Sequence, residues 1–126
     1  MEADSRQSIL IIESNEQIRE EIFNFLLSAG YEKTEETDNP AAALDKIRQS
    51  RYEIIVADAG ALLSDGLGIA TDIARLSHGA RLILMINAED RQSWDQLAAR
   101  LVDVRFLIKT EFARNLLYLL EENAQP

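Results

Sequence analysis

The chain has no cysteine and a single histidine, His78. The first absence excludes disulfides, thiolate metal sites and thiol nucleophiles, and it is compatible with a reducing compartment. The second removes most imidazole chemistry, and His78, within "LSHGAR", reads as an exposed loop residue. No apolar run approaches the ~18 residues of a membrane span, and the opening "MEADSRQS" lacks the apolar stretch of a secretion signal. Positive charge is scarce: 13 basic residues against 22 acidic ones leave a net charge of -9. A surface of that sign repels phosphate backbones and anionic lipid. The expectation is a soluble, cytoplasmic chain that touches neither nucleic acid nor membrane directly. Glycines are missing from the first β-α turn, and "GLG" at 66 to 68 is too short and in the wrong loop, so a dinucleotide-binding reading is weak.

Against these absences stands an apolar fraction of 47% in 126 residues, enough for one domain with one substantial core. Short, nearly continuous apolar runs predict strands over Ser8 to Ile12, Glu53 to Ala57, Arg81 to Ile86 and Val104 to Ile108, each covered on both faces. A fifth segment, "YEKTEET" at 31 to 37, is mostly polar and suits only a sheet edge. Between the strands, Ile18, Ile22, Phe25 and Leu26 recur at helical spacing and stop at Ala29-Gly30, with Ser14 or Asn15 as the cap. Asn39-Pro40 is a cap followed by proline at the first helical position. Further helices are expected from about Leu67 to Leu76, Arg91 to Leu101 and Glu111 to Glu122. Residues 8–122 are expected to form the domain, with 1–7 read as a disordered start and 123–126 as a tail or the beginning of a linker.

Strands alternating with helices, joined by right-handed crossovers, predict an α/β fold: a doubly wound, five-stranded parallel sheet of order 2-1-3-4-5, a flavodoxin-like three-layer sandwich. Ligands of such sheets bind at the carboxyl ends of the strands. "ILIIES" ends on Glu13 and Ser14, "IIVAD" on Asp58, "LILMI" is followed by Asn87 and "RFLI" by Lys109, so these side chains are expected around one crevice.

That set, with Asp65-Gly66 in the loop after Asp58 and "LLSAGY" at 26 to 31, resembles the receiver domain of bacterial response regulators over nearly the whole chain. The resemblance implies a CheY-like module of two-component signalling, with Asp58 as candidate phosphoacceptor, Lys109 and Asn87 beside it, and Phe106 in the place of a switching aromatic. It also implies weakly held Mg²⁺, with Glu13, Ser14, Asp58 and Gly60 as candidate ligands. The departures touch the chemistry. Glu13 is a methylene longer than the usual aspartate, Ser14 replaces a second acid, Asn87 replaces a hydroxyl residue, and Leu62 and Thr110 stand where prolines are common. Two acids against one lysine leave a single net negative charge, one less than in the full family set, so a cation is held less firmly. Asp58 and Lys109 are expected to pair directly when no metal is bound.

Other readings compete with these. Asp58 serves equally as a turn residue, Glu13 as a solvated loop acid, Lys109 as a structural partner, Asn87 as a cap and Phe106 as static core. A phosphorylation-independent interaction module is one alternative. A small phosphotransfer or hydrolytic enzyme with Asp58 as nucleophile is another, although a phosphatase of that kind wants an acid where Gly60 stands. A flavodoxin-like cofactor module is a third. The expectation is a binding module, not an enzyme. Its partners would be a histidine kinase or phosphotransfer protein. A homodimer mate or output domain would meet the face of the fourth helix, fifth strand and fifth helix, where Trp94, Tyr118 and the leucines of "NLLYLLEE" exceed what one buried stripe hides.

Overall fold

A computed structural model describes residues 7–62, 68–77, 79–90, 104–109, 115–117 and 119–120. The expectations for residues 1–6 and 121–126, for a helix over 91–101, and for Asp65, Gly66, His78, Trp94, Thr110 and Tyr118 lie outside the described residues.

The elements run β1 (Ile9–Ile12), α1 (Glu16–Ser28), β2 (Thr34–Thr37), α2 (Pro40–Gln49), β3 (Ile54–Asp58), a helical turn (Ala59–Leu62), α3 (Gly68–Leu76), β4 (Arg81–Ile86), a 3-10 turn (Ala88–Asp90) and β5 (Val104–Ile108). Residues 115–117 and 119–120 are also helical. All pairings are parallel and the strand order is β2-β1-β3-β4-β5, as the alternation of apolar runs and helical periods predicts. Two strands begin one residue later than their apolar runs imply. Ser8 and Glu53 instead clip the strand starts together: the Ser8 amide donates to Glu53 Oε1 at 3.1 Å and the Ser8 hydroxyl to the Arg51 carbonyl at 3.1 Å.

Local signals explain the helix limits. Asn15, not Ser14, caps α1, its side chain accepting from the Ile18 amide at 2.9 Å. Gly30, at φ 99°, turns the chain out of α1 while the Tyr31 amide returns to the Leu26 carbonyl at 3.0 Å. Asn39 accepts from the Ala42 amide at 2.8 Å, with Pro40 in the first turn of α2.

Side chains alternate across the sheet and divide the core in two. Leu10, Ile12, Ile55, Ala57, Leu82 and Leu84 meet Ala43 and Ile47 of α2 and Ile73 of α3. Ile9, Ile11, Ile54, Val56, Ile83 and Met85 face the other way, toward Ile22 and Leu26 of α1 and toward Leu116 and Leu120. Leu117 and Leu119 pack against the same cluster, so the leucines of "NLLYLLEE" all contribute to it. β2 is an edge strand, and its charges are paired: Tyr52 and Lys46 donate to Glu35 at 2.7 and 3.3 Å, and Arg19 to Glu36 at 3.0 Å. Among the described residues no helix is long and apolar enough to cross a membrane.

Candidate functional site

The register of β1 against β3 aligns Ile12 with Ala57, so Glu13 and Asp58, one residue further on, emerge side by side. Asp58 aligns in turn with Met85, which places Asn87 just beyond the end of β4, and Ile86 aligns with Ile108, which places Lys109 at the tip of β5. The parallel topology thus collects all of these residues at one edge. Lys109 forms an ion pair with Asp58 through Nζ and Oδ1, and the same Nζ lies 4.0 Å from Glu13 Oε1. The ammonium is therefore shared between two carboxylates.

Glu13 is the most enclosed member, its side chain only 3% exposed. Its carboxylate is held from one side: Oε2 accepts the Asn15 amide at 3.1 Å, while Oε1 is buried without a hydrogen-bond partner. Burial pushes its pKa above the ordinary value of 4.5, an effect that the Asn15 bond opposes, Asp58 reinforces and Lys109 and Arg19 partly offset. The folded chain thus holds this proton to higher pH than the unfolded chain does. Glu13 consequently favours folding most below the unfolded value, and that advantage falls away as pH rises through the folded pKa. Glu13→Gln is expected to flatten the decline of stability with rising pH, read as the difference in urea midpoints between the two chains from about pH 4 to about pH 8.

Arg19 is a contact that the sequence did not single out. Its Nη1 donates to the Glu13 carbonyl at 2.9 Å while its Nε donates to Glu36 Oε1 at 3.0 Å, tying the turn after β1 to the edge strand. The only sequence signal for it is position, one helical turn beyond the cap Asn15.

A cavity of about 190 Å³ opens beside Asp58, lined also by Ala59, Gly60, Met85, Ile86, Asn87 and Lys109. Gly60 belongs there sterically, since a Cβ at that position would sit 3.2 Å from Asp58 Oδ2. Asn87 is exposed and precedes the 3-10 turn, which leaves its amide available to a molecule in the cavity. Glu13 and Ser14 do not line this space; Ser14 is exposed beyond the tip of β1. Phe106 is partly buried on β5 and packs against the cluster beneath α2 and α3.

Oxygen donors dominate the edge, and they fit a hard cation. Glu13 Oε1 is a buried acceptor without a hydrogen bond, Asp58 offers a carboxylate, and Mg²⁺ typically takes one or two carboxylates and completes its shell with water. The set is lean, however: among the described residues no group of three or more acidic or imidazole side chains gathers at one point.

A doubly wound parallel sheet with acids and a lysine at its carboxyl edge defines the class, flavodoxin-like with a charged switch-point pocket. A family model, the response regulator receiver domain, matches residues 9–121, and the chain belongs to that family. Membership implies a role in two-component signalling. Solved structures agree on the fold. The receiver domain of the sensor histidine kinase PA1611 from Pseudomonas aeruginosa PAO1, solved with a magnesium ion in its active site cleft, shares 22% identity at a TM-score of 0.77, covering 94% of this chain and 98% of its own. The chemotaxis response regulator CheY4 of Vibrio cholerae shares 18% identity at a TM-score of 0.74, with the same coverage of 94% and 98%. The receiver domain of the stress response regulator RcsB from Escherichia coli shares 13% at 0.75, covering 93% and 94%. No curated protein matches the chain in sequence.

Proposed function

We propose that this chain is an atypical receiver whose Asp58 accepts a phosphoryl group, and whose altered acidic pocket weakens the metal assistance that such a transfer normally receives. One arrangement carries the proposal: the Asp58 carboxylate borders an open cavity and is already paired with an ammonium that can follow its charge. A carboxylate oxygen of Asp58 attacks the phosphorus of a phosphoramidate or acyl phosphate. The new O–P bond forms as the donor's P–N or P–O bond breaks, and the departing group keeps the electron pair, an imidazole taking its proton from solvent. Lys109 then pairs with the phosphoryl oxygens, and the Asn87 amide donates to another of them in place of a hydroxyl. Glu13, Asp58, the Gly60 carbonyl and Ser14 are the groups that would hold Mg²⁺, which when bound neutralises the acceptor and phosphoryl oxygens.

The donor under this proposal is a histidine kinase or a phosphotransfer protein. Readout under this proposal passes through β5, with Phe106, and through the segments 91–101 and 111–122 that the sequence predicts as helices, with Trp94 and Tyr118, to a second copy of the chain or an output domain. A second reading, an interaction module that works without phosphorylation, is favoured by the same ion pair, because Lys109 already satisfies Asp58.

Incubating the chain with a small acyl phosphate and Mg²⁺ and weighing it separates these readings. A single, slowly accumulating phosphoryl adduct is the expected result. Catalytic turnover of the donor without adduct would replace the receiver by a hydrolytic enzyme, and the absence of both would leave the phosphorylation-independent module.

A further inference from the structure

We infer that the amino end of the sheet carries a second binding site, a small cavity where α2 and α3 end that takes a phosphate dianion, free or as a monoester. The inference is independent of the acceptor proposal. Arg51 lines this cavity just before β3 starts at Ile54, and β3 ends at Asp58, so the length of that strand, about 13 Å, separates the two sites. Arg48, Ser50 and Arg51, where α2 runs out, and Leu76 and Ser77, where α3 does, enclose about 220 Å³ together with Ile47. That space holds a phosphate with a few waters and falls short of the roughly 300 Å³ at which larger organic ligands begin to fit. Among the described residues no acidic side chain lines it. Two guanidiniums thus give the wall two positive charges, in a chain whose net charge is -9.

Neither guanidinium is firmly committed elsewhere. The Arg51 carbonyl accepts the Ser8 hydroxyl at 3.1 Å, while its guanidinium makes no ion pair among the described residues. Arg48 pairs only with Asp45, at 3.4 Å, and both side chains are exposed, so water and salt weaken that contact. The backbone beneath them is held, by the Ser8 bond and by the Ser50 amide on the Lys46 carbonyl at 2.9 Å. A guanidinium offers paired N–H donors that match phosphate oxygens two at a time, and it keeps its charge at neutral pH. The carbonyl ends of α2 and α3 oppose an anion here, but Lys46 and Arg48 in the last turn of α2 and Arg75 in that of α3 offset them. Charge then selects the ligand. A dianion neutralises the wall, whereas a monoanion such as acetate compensates half of it. The negative field of the whole chain works against both, which sets the expected affinity in the millimolar range.

Titrating the chain with sodium phosphate at about pH 7.5, where a monoester with its second pKa of about 6 is also dianionic, tests the site at an ionic strength held constant with NaCl. The amide resonances of Ser50, Arg51 and Ser77 should move together and saturate with one midpoint, while those of Gly60 and Asn87, at the other end of the sheet, stay still. Methyl phosphate distinguishes the sources: binding as tight as phosphate assigns the site to monoesters, and its loss restricts the site to the free ion. Arg51→Gln and Arg48→Gln, both at exposed positions, are each expected to weaken phosphate binding roughly tenfold. Asp45→Asn, which frees Arg48, is expected to tighten it roughly two- to threefold. Shifts that never saturate, that acetate reproduces at the same concentration, or that persist unchanged in Arg51→Gln would overturn the inference. So would shifts confined to Gly60 and Asn87, which would put the phosphate in the cavity beside Asp58.

Discussion

Ile11→Ala is expected to lower the free energy of unfolding by about 2–5 kcal/mol, the range for removing a fully buried aliphatic side chain whose surroundings collapse only in part. Ile11 has no exposed surface and sits on β1 between β2 and β3, its side chain within the cluster that Ile22, Leu26, Val56 and Met85 share. Neither face of the sheet offers room to relax, because α1 closes one side and α2 and α3 the other. Ile11→Val, which removes one methylene, should cost only about 0.5–1.5 kcal/mol. Leu27→Ala, on the outer side of α1 where the leucine is 39% exposed, should remain within about 0.5 kcal/mol of the parent. Urea unfolding at constant m measures all three. Since a domain's stability is commonly about 5–15 kcal/mol, the first variant alone can consume a large part of it. A loss for Ile11→Ala no greater than that for Leu27→Ala would mean that β1 is not the buried strand whose end carries Glu13.

Burial of this kind was legible because it is repeated. Four apolar runs without alternation can be satisfied only by strands covered twice, and a polar fifth segment only by an edge, so order and direction followed from pattern and handedness. Caps were legible where a side chain acts on its own neighbours: Asn39-Pro40 is unambiguous, and Asn15 prevailed over Ser14 because its oxygen reaches the Ile18 amide. What escaped the sequence depends on contacts between distant residues. "AGAL" after Asp58 carries no periodicity long enough to announce a helical turn, yet it forms one, and Leu62 is buried within it. Glu13 was open to being a solvated acid or a metal ligand with a long reach. Its enclosure comes from the Asn15 amide, Arg19 and the neighbouring strand tips, none of which a local pattern encodes. Even so, the sharing of Lys109 between Glu13 and Asp58 follows from the registers once the strand order is known.

Asp58→Asn is expected to abolish the phosphoryl adduct completely, at any concentration of acyl phosphate at which the unaltered chain gains one. An amide has no anionic oxygen to attack phosphorus, and among the described residues no other acid combines the same cavity with the same ammonium: Glu13 reaches Lys109 only at 4.0 Å and does not line the space beside Asp58. The substitution nearly preserves shape, so a lost adduct should not reflect lost structure. Lys109 keeps Glu13 as a neighbour and, at 26% side-chain exposure, keeps water as well. A partly solvated ion pair is worth about 0–1 kcal/mol, so the melting temperature should move by no more than a few degrees. Mass spectrometry beside a thermal melt therefore separates chemistry from folding in one sample. An adduct that survives Asp58→Asn would assign the nucleophile to another side chain and detach the Asp58–Lys109 pair from transfer. If neither chain takes phosphate, the ion pair is itself the functional state, and a neutral residue at 58 should then alter partner binding instead, since Lys109 would be released toward Glu13.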